Sequence, residues 1–393
     1  MKMRKMLFFL MMATACCAQA QNEVERALQS VEQNNTTLIA LRHETEAAKV
    51  GNHTNLNLPN PEVEFGYLWG SPSSIGHRKD VSAMQSFDFA TVTGAKRRLA
   101  RQQDALAEWQ YKENRMQLLL EAHNLCLDAI YYNAMYKELA LRKRNAEEIA
   151  AAQQKRLERG DVNRIEYNQV KLDLASVSAE MMRCEAERAA VMAELQRLNG
   201  GEPLMIGATD YPVVAIADDF EAWYAEAEQK SPALAYVKQE MAVADKELAV
   251  RRADGLPTVS LGFMGEYVSG ENYQGVKVGM SIPLWANKNR VRQAKAQVEA
   301  AKARQTDARQ QFYSRLHNLF VQQNGLHQVV KSYEEALRAT DNTALLKKAL
   351  DAGSISTMDY LLGARMYYDA VNQKMDACRA WQKTVAEMQA VLL

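Results

Sequence analysis

The sequence predicts a mainly helical chain with a small β part, written twice in tandem. Three observations lead there: long segments without glycine or proline, short stretches of alternating apolar residues between them, and a repeat of landmarks at near-constant offset. The repeat sets the frame. Q-N-N-T-T-L from Gln33 matches Q-K-S-P-A-L from Gln229, and P-E-V-E-F-G-Y from Pro61 matches P-T-V-S-L-G-F from Pro257. Ser86-Phe87-Asp88-Phe89 lies over Ser281-Ile282-Pro283-Leu284, and His123-Asn124-Leu125 over His317-Asn318-Leu319. G-D-V-N-R-I-E-Y from Gly160 matches G-S-I-S-T-M-D-Y from Gly353. The order never changes and the offset stays between 193 and 196. Residues 21–199 therefore form a first repeat, 200–217 a linker with Gly200, Gly201, Pro203 and Pro212, and 218–393 a second repeat.

Each repeat reads as a shorter helix, two strands, a very long helix, a tight turn and another long helix. Residues 95–159 hold neither Gly nor Pro and are rich in strong helix formers. Such a helix is about 98 Å long at 1.5 Å per residue, against about 50–55 Å for a compact globule of this size, so an elongated molecule is expected. Residues 161–199 lack both breakers, and 288–352 and 354–393 repeat the pattern with single glycines at Gly325 and Gly363. All eight prolines fall outside these four segments, as uninterrupted helices require, since an interior proline costs about 3 kcal/mol. From Val291 to Leu337 apolar residues advance by threes, fours and sevens, interrupted by Gln305 and Gln323. That spacing predicts left-handed supercoiling against neighbouring helices.

The strands come in pairs. Val63, Phe65 and Tyr67 alternate with Glu62, Glu64 and Gly66, and Val276, Val278, Met280, Ile282 and Leu284 with Lys277, Gly279 and Ser281. Turn-forming residues join each pair at 70–74 and 269–272. About ten residues per strand suffices to cross a bilayer at a steep tilt. Phe65, Tyr67, Trp69, Phe87, Phe89, Phe263, Tyr267, Tyr273 and Trp285 gather here, as in interfacial girdles. Four strands cannot close a barrel, and an open edge in lipid leaves amides unpaired. A membrane reading thus requires several copies, normally in closed cyclic symmetry.

The first twenty residues read as an address. Lys2, Arg4 and Lys5 precede an apolar run from Met6 to Ala15, and Ala18-Gln19-Ala20 offers a small-residue cleavage site. The alternative is a buried amino-terminal helix. Lipid attachment at Cys16 or Cys17 is a second processing route. With 48 basic and 48 acidic residues the chain has no surplus for phosphate, so nucleic acid is not expected as a partner.

An exported, duplicated chain with two strands and two long helices per half resembles the TolC family of outer-membrane efflux ducts. The paired turns L-E-R-G-D-V-N-R-I-E-Y (157–167) and L-D-A-G-S-I-S-T-M-D-Y (350–360) look like that family's periplasmic helix-turn-helix tips. The resemblance implies a homotrimer: an α-barrel of twelve helices continuing a shared twelve-stranded β-barrel in the outer membrane. It implies docking to a periplasmic adaptor and an inner-membrane pump, most simply of the RND type, and the length and compact tips look more like the heavy-metal or cation efflux branch. Gate and adaptor-docking residues would be Gly160, Asp161, Asn163, Glu166, Tyr167, Gly353, Ser354, Ser356, Asp359 and Tyr360. Asp359 stands where the family often carries a ring-forming aspartate, with Glu166 its repeat counterpart. Leu362 occupies the position of a second aspartate, which puts a double ring in doubt. Either carboxylate could instead simply cap its helix.

His123 and Cys126 share a helical face as a possible pair of metal ligands, but the repeat partner of Cys126 is Phe320, and a core position is the plainer reading. No phosphate-loop, dinucleotide, zinc-protease or serine-hydrolase string occurs. Neither catalysis nor a cofactor is expected. A periplasmic coiled-coil adaptor with soluble sheets is the competing reading, though duplication speaks against it.

Overall fold

A computed structural model describes residues 20–54, 56–214, 219–268, 270–285, 287–340 and 343–392. Residues 1–19 of the amino-terminal address, with Cys16 and Cys17, lie outside the described residues, as do 215–217 of the linker. In the first half α1 (20–34) and α2 (Thr36–Thr54) precede β1 (Glu62–Trp69) and β2 (His77–Phe87), then α3 (Ala90–Glu158) and α4 (Arg164–Leu198). In the second half α5 (Phe220–Lys230) and α6 (Pro232–Ala253) precede β3 (Thr258–Val268) and β4 (Glu271–Ser281), then α7 (Arg290–Thr340), α8 (Thr343–Asp351) and α9 (Thr357–Gln389). No described helix is long and apolar enough to cross a membrane.

Three expectations need correction. Each half opens with two short helices rather than one. The breaks fall at Asn35 and Ser231, which are equivalent in the repeat, and both side chains cap the helix that follows. Asn35 Oδ1 accepts from Leu38 N–H at 2.9 Å while its Nδ2 donates to the Leu198 carbonyl at 2.7 Å. Ser231 Oγ accepts from Leu234 N–H, and Pro232 at the first helical position has no N–H to waste. The segment 288–352 forms two helices, α7 and α8, flanking residues 341–342, which lie outside the described ones; the run Thr340-Asp341-Asn342-Thr343 is poor in helix formers. The expected turn 269–272 is tighter, because Glu271 and Asn272 already pair with Val268 and Tyr267.

The stripe on α7 is real packing. Residues 291, 294, 298, 301, 305, 308, 312, 316, 319, 323, 326, 330, 333 and 337 alternate steps of three and four, with a single doubled four at 308–312–316. Every fully buried residue described on α7 lies on it. At 69 residues, α3 is about 104 Å along its axis.

The chain divides into two compact units. The first comprises residues up to Ala40, Asn114–Lys230 and Phe312–Leu393. It is helical, and one of its cores joins Val24, Ala27, Cys126, Ile130 and Leu195 with Ile206 of the linker. The linker is strapped down there: Asn133 Nδ2 donates to the Ile206 and Ala208 carbonyls at 2.8 and 3.1 Å, and Glu23 accepts from Gly207 and Ala208 N–H. Gly200, at φ +68, is needed because a Cβ would meet the Asn34 carbonyl oxygen at 2.3 Å. The second unit, Leu41–Glu113 and Ser231–Gln311, holds one antiparallel sheet in the order β1-β2-β3-β4, and Leu248, Ala294 and Val298 pack together among its helices.

Candidate functional site

The sheet in the second unit has two chemically distinct faces, and the register says which residues share each. Val63, Phe65, Tyr67 and Trp69 align with Ala83, Val81, Lys79 and His77. Ala83 continues to Phe263, which pairs with Val276; Gln85 continues to Leu261, which pairs with Val278. This face is apolar across its middle and open: Phe65, Val276 and Trp69 are 69%, 75% and 78% exposed. Tyr67 meets Trp69 edge-on at 5.6 Å and stacks on His77 at 5.5 Å, placing rings and a polar tip at the hairpin end.

The opposite face carries Glu62, Glu64, Arg78, Asp80, Ser82, Glu266 and Lys277. Arg78 Nε donates to Asp80 at 2.8 Å and its Nη2 to Glu266 at 2.7 Å, so one guanidinium ties β2 to β3. Sequence reading missed this cross-strand pair, because Arg78 and Glu266 lie in different repeats and only the register brings them together. A sheet apolar on one side and charged on the other, with no strand paired to the outer edges of β1 and β4 among the described residues, suits lipid on one face and water on the other.

The candidate tips lie in the first unit, and their two turns share one geometry. Gly160 and Gly353 adopt φ of +79 and +72, in open space. Asp161 N–H donates to the Arg156 carbonyl at 2.9 Å and Ser354 N–H to that of Ala349 at 2.8 Å, the six-to-one closure of a glycine-ended helix. The next helices start alike. Asn163 Oδ1 accepts from Glu166 N–H at 2.9 Å, and its Nδ2 donates to Glu166 Oε1 at 2.9 Å. Ser356 Oγ accepts from Asp359 N–H at 3.1 Å, while Asp359 Oδ2 accepts from Ser356 N–H at 3.2 Å and from its hydroxyl at 2.7 Å. Those donors hold the Asp359 carboxyl below its ordinary value. Asp359 is thus the acidic half of a capping box.

The two tyrosines, equivalent in the repeat, part company. Tyr360 is buried with Ile149, Val170, Leu350 and Ala364, joining both hairpins, and burial pushes its phenol up to about 12. Tyr167 is half-exposed, with the Lys171 ammonium 5.7 Å from its ring centre. Buried Gln153 donates to buried Thr357 Oγ1 at 3.1 Å, and Lys347 pairs with Glu148. Ile165 and Met358, at equivalent positions of the two turns, are exposed apolar side chains. Away from the tips, His123 is mostly buried and Cys126 sits fully in the core. Desolvation lowers the imidazole's pKa and pushes the thiol up to about 12, as a packed position requires. Among the described residues no group of three or more His, Cys, Asp and Glu side chains could hold a metal ion.

The chain thus combines a four-stranded sheet of two chemically distinct faces with long helical hairpins closed by matched glycine turns. Residues 223–392 match the family model "Outer membrane efflux protein". That match covers most of the second repeat, a little under half of the chain. Over 320 residues the chain is 22% identical to the alkaline protease secretion protein AprF of Pseudomonas aeruginosa, covering 76% of this chain and 66% of AprF. It thus spans a little under two-thirds of that relative's length. Its fold is that of a membrane protein from Pseudomonas aeruginosa (TM-score 0.81, 15% identity, 94% of this chain and 93% of the other). It is also that of the MtrE outer membrane channel of Neisseria gonorrhoeae (TM-score 0.78, 15% identity, 94% and 88%).

Proposed function

We propose that three copies of this chain form one passive exit duct of a tripartite efflux system. Their sheets close as a twelve-stranded barrel in the outer membrane, and their long helices enclose a tunnel in the periplasm. A periplasmic adaptor engages the tips, and an inner-membrane pump of the RND type supplies the energy. The chain performs no chemistry on what passes through it. The sheet carries this reading: an apolar face open along four strands, backed by a charged face and ending in two unpaired edges, is unstable in water and incomplete in lipid as a single copy.

In this proposal residues 1–20 are an export signal removed on passage, and 21–199 and 218–393 are the two products of a duplication joined by 200–217. The tip residues from Gly160 to Tyr167 and from Gly353 to Tyr360 form the gate. Exposed Ile165 and Met358 offer apolar contact to the adaptor; Asp359 completes the capping box with Ser356, Glu166 accepts from the Asn163 side chain, and both carboxylates present negative charge at the mouth.

The test is fractionation of membranes from cells expressing the chain, then electrophoresis of unheated detergent extracts and recording in a planar bilayer. A heat-dissociable trimer in the outer-membrane fraction that conducts ions is the expected outcome. A water-soluble monomer without conductance refutes the proposal.

A further inference from the structure

We infer that the seam between copies pairs β4 of one subunit with β1 of the next in a single register, with Met280, Val278 and Val276 opposite Phe65, Tyr67 and Trp69. This rests on the trimeric reading above and adds the one ladder that no single chain contains. The alternating faces restrict the choice first. Val276, Val278 and Met280 lie on the apolar face of β4, and Phe65, Tyr67 and Trp69 on that of β1. A slip of one residue would turn one apolar row into the lumen, so only registers two residues apart compete.

Closure narrows them further. Straight across the sheet, Val63 leads to Ala83, Phe263 and Val276. In the proposed register the next step reaches Trp69 of the neighbouring copy, six residues on from Val63. Three subunits then accumulate a displacement of about 18 residues around twelve strands. With about 3.3 Å per residue and about 4.8 Å between strands, that corresponds to a tilt of about 46°. A slip of two residues either way gives about 12 or 24 residues and tilts of about 35° or 54°. The steepest lies well outside the 35–45° of membrane barrels, while the other two fall at the two ends of that range, so closure leaves two registers. At about 45° an eleven-residue strand such as β3 rises about 26 Å along the membrane normal, close to the apolar band of about 25 Å.

The duplication selects the same register independently. The β2–β3 ladder joins the two repeats within one chain, and the β4–β1 seam would join them between chains. Moving the observed pairs Gln85–Leu261 and Ala83–Phe263 by the offsets of the Ser86/Ser281 and Pro61/Pro257 landmarks gives Met280–Phe65 and Val278–Tyr67. The same shift does not carry the β1–β2 hairpin onto β3–β4, where Met280 rather than Val278 stands opposite Val259. Hairpin register follows its turn, and these turns differ, 70–76 against 269–270. Neither ladder between repeats has a hairpin turn to set it.

Cysteine pairs test this in native outer membranes. β1 and β4 are opposite edges of one sheet, about 14 Å apart, so a disulfide between them must join two copies. Tyr67→Cys is combined in turn with Val278→Cys, Met280→Cys and Val276→Cys, oxidised with copper-phenanthroline and run on non-reducing gels. The unsubstituted chain, whose Cys126, Cys184 and Cys378 are all at least partly buried, is the control. Val278 is expected to give covalent dimers and trimers at least fivefold more abundantly than either alternative. Equal or stronger linkage through Met280 or Val276, or a native-gel trimer that none of the pairs links, overturns the register while leaving the trimer standing. Monomers alone on native gels overturn both.

Discussion

Adjacent residues of β1 face opposite media, so one charge should act very differently at two neighbouring positions. Phe65 lies near the middle of the strand on the apolar face, beside Val81 and, one strand further, Gly265. An arginine at the bilayer midplane on the lipid side of a barrel costs about 2–4 kcal/mol. Phe65→Arg also forfeits the burial of an aromatic ring in hydrocarbon, about 1.5–3 kcal/mol. The lower bound of the first contribution alone is about 30-fold in the folding equilibrium of each subunit, and a trimer carries three. Glu64 faces the charged side, opposite Ser82. Glu64→Arg therefore changes only lumen electrostatics and should stay within about 1 kcal/mol. Urea titration of the barrel refolded into vesicles, with heat-modifiable mobility as readout, measures both. Equal losses for the two substitutions, or a greater loss at Glu64, would refute the assignment of faces.

At the turns, Gly353→Ala forces a side chain into left-handed backbone and should destabilise the tip by about 1 kcal/mol; amide exchange at residues 350–356 should quicken, and an unchanged rate would contradict the geometry. The buried Tyr360 and the half-exposed Tyr167 should separate: Tyr360→Ala costs about 3–5 kcal/mol and Tyr167→Ala under about 1, compared by thermal unfolding. Because the Asp359 carboxyl sits below its ordinary value, its contribution is complete above the unfolded-state value near 4 and fades as pH falls through the lower folded value. Exchange protection of the Asp359 amide should accordingly be flat from pH 7 to about 4.5 and fall only in stronger acid; Ser356→Ala should abolish that acid-dependent step. Asp359→Asn should leave single-channel conductance and cation preference reduced if the carboxylates line the mouth, and bilayer recording that finds both unchanged removes them from selectivity.

The long-range plan was legible because it rests on repetition and on breaker residues. The stripe along α7 was readable residue by residue, including Gln323, whose side chain the structure buries despite its amide. The turn glycines and the capping residues Asn163 and Ser356 follow from local chemistry that any window of ten residues contains. The breaks at Asn35 and Ser231 were hidden because a cap inside a helical run looks like one more polar residue, and only the bond to the Leu198 carbonyl shows what Asn35 holds. The divergence of Tyr167 and Tyr360 was unreadable for a related reason: their local contexts match, and the difference lies in Ile149 and Leu350 packing on one and not on the other. Arg78 and Glu266 meet only through the β2–β3 ladder, which no local pattern announces.

The doubled step of four at Ala308, Phe312 and Leu316 limits how this chain can change in length. An extra four-residue step relaxes the left-handed winding of a helix locally while keeping its apolar line on one side. Additions of three, four or seven residues there leave the line nearly in place, whereas one or two swing everything beyond it by about 100° or 200°. Tubes of this design should therefore differ in reach by whole turns or pairs of turns, gaining or losing them at matching points of both halves.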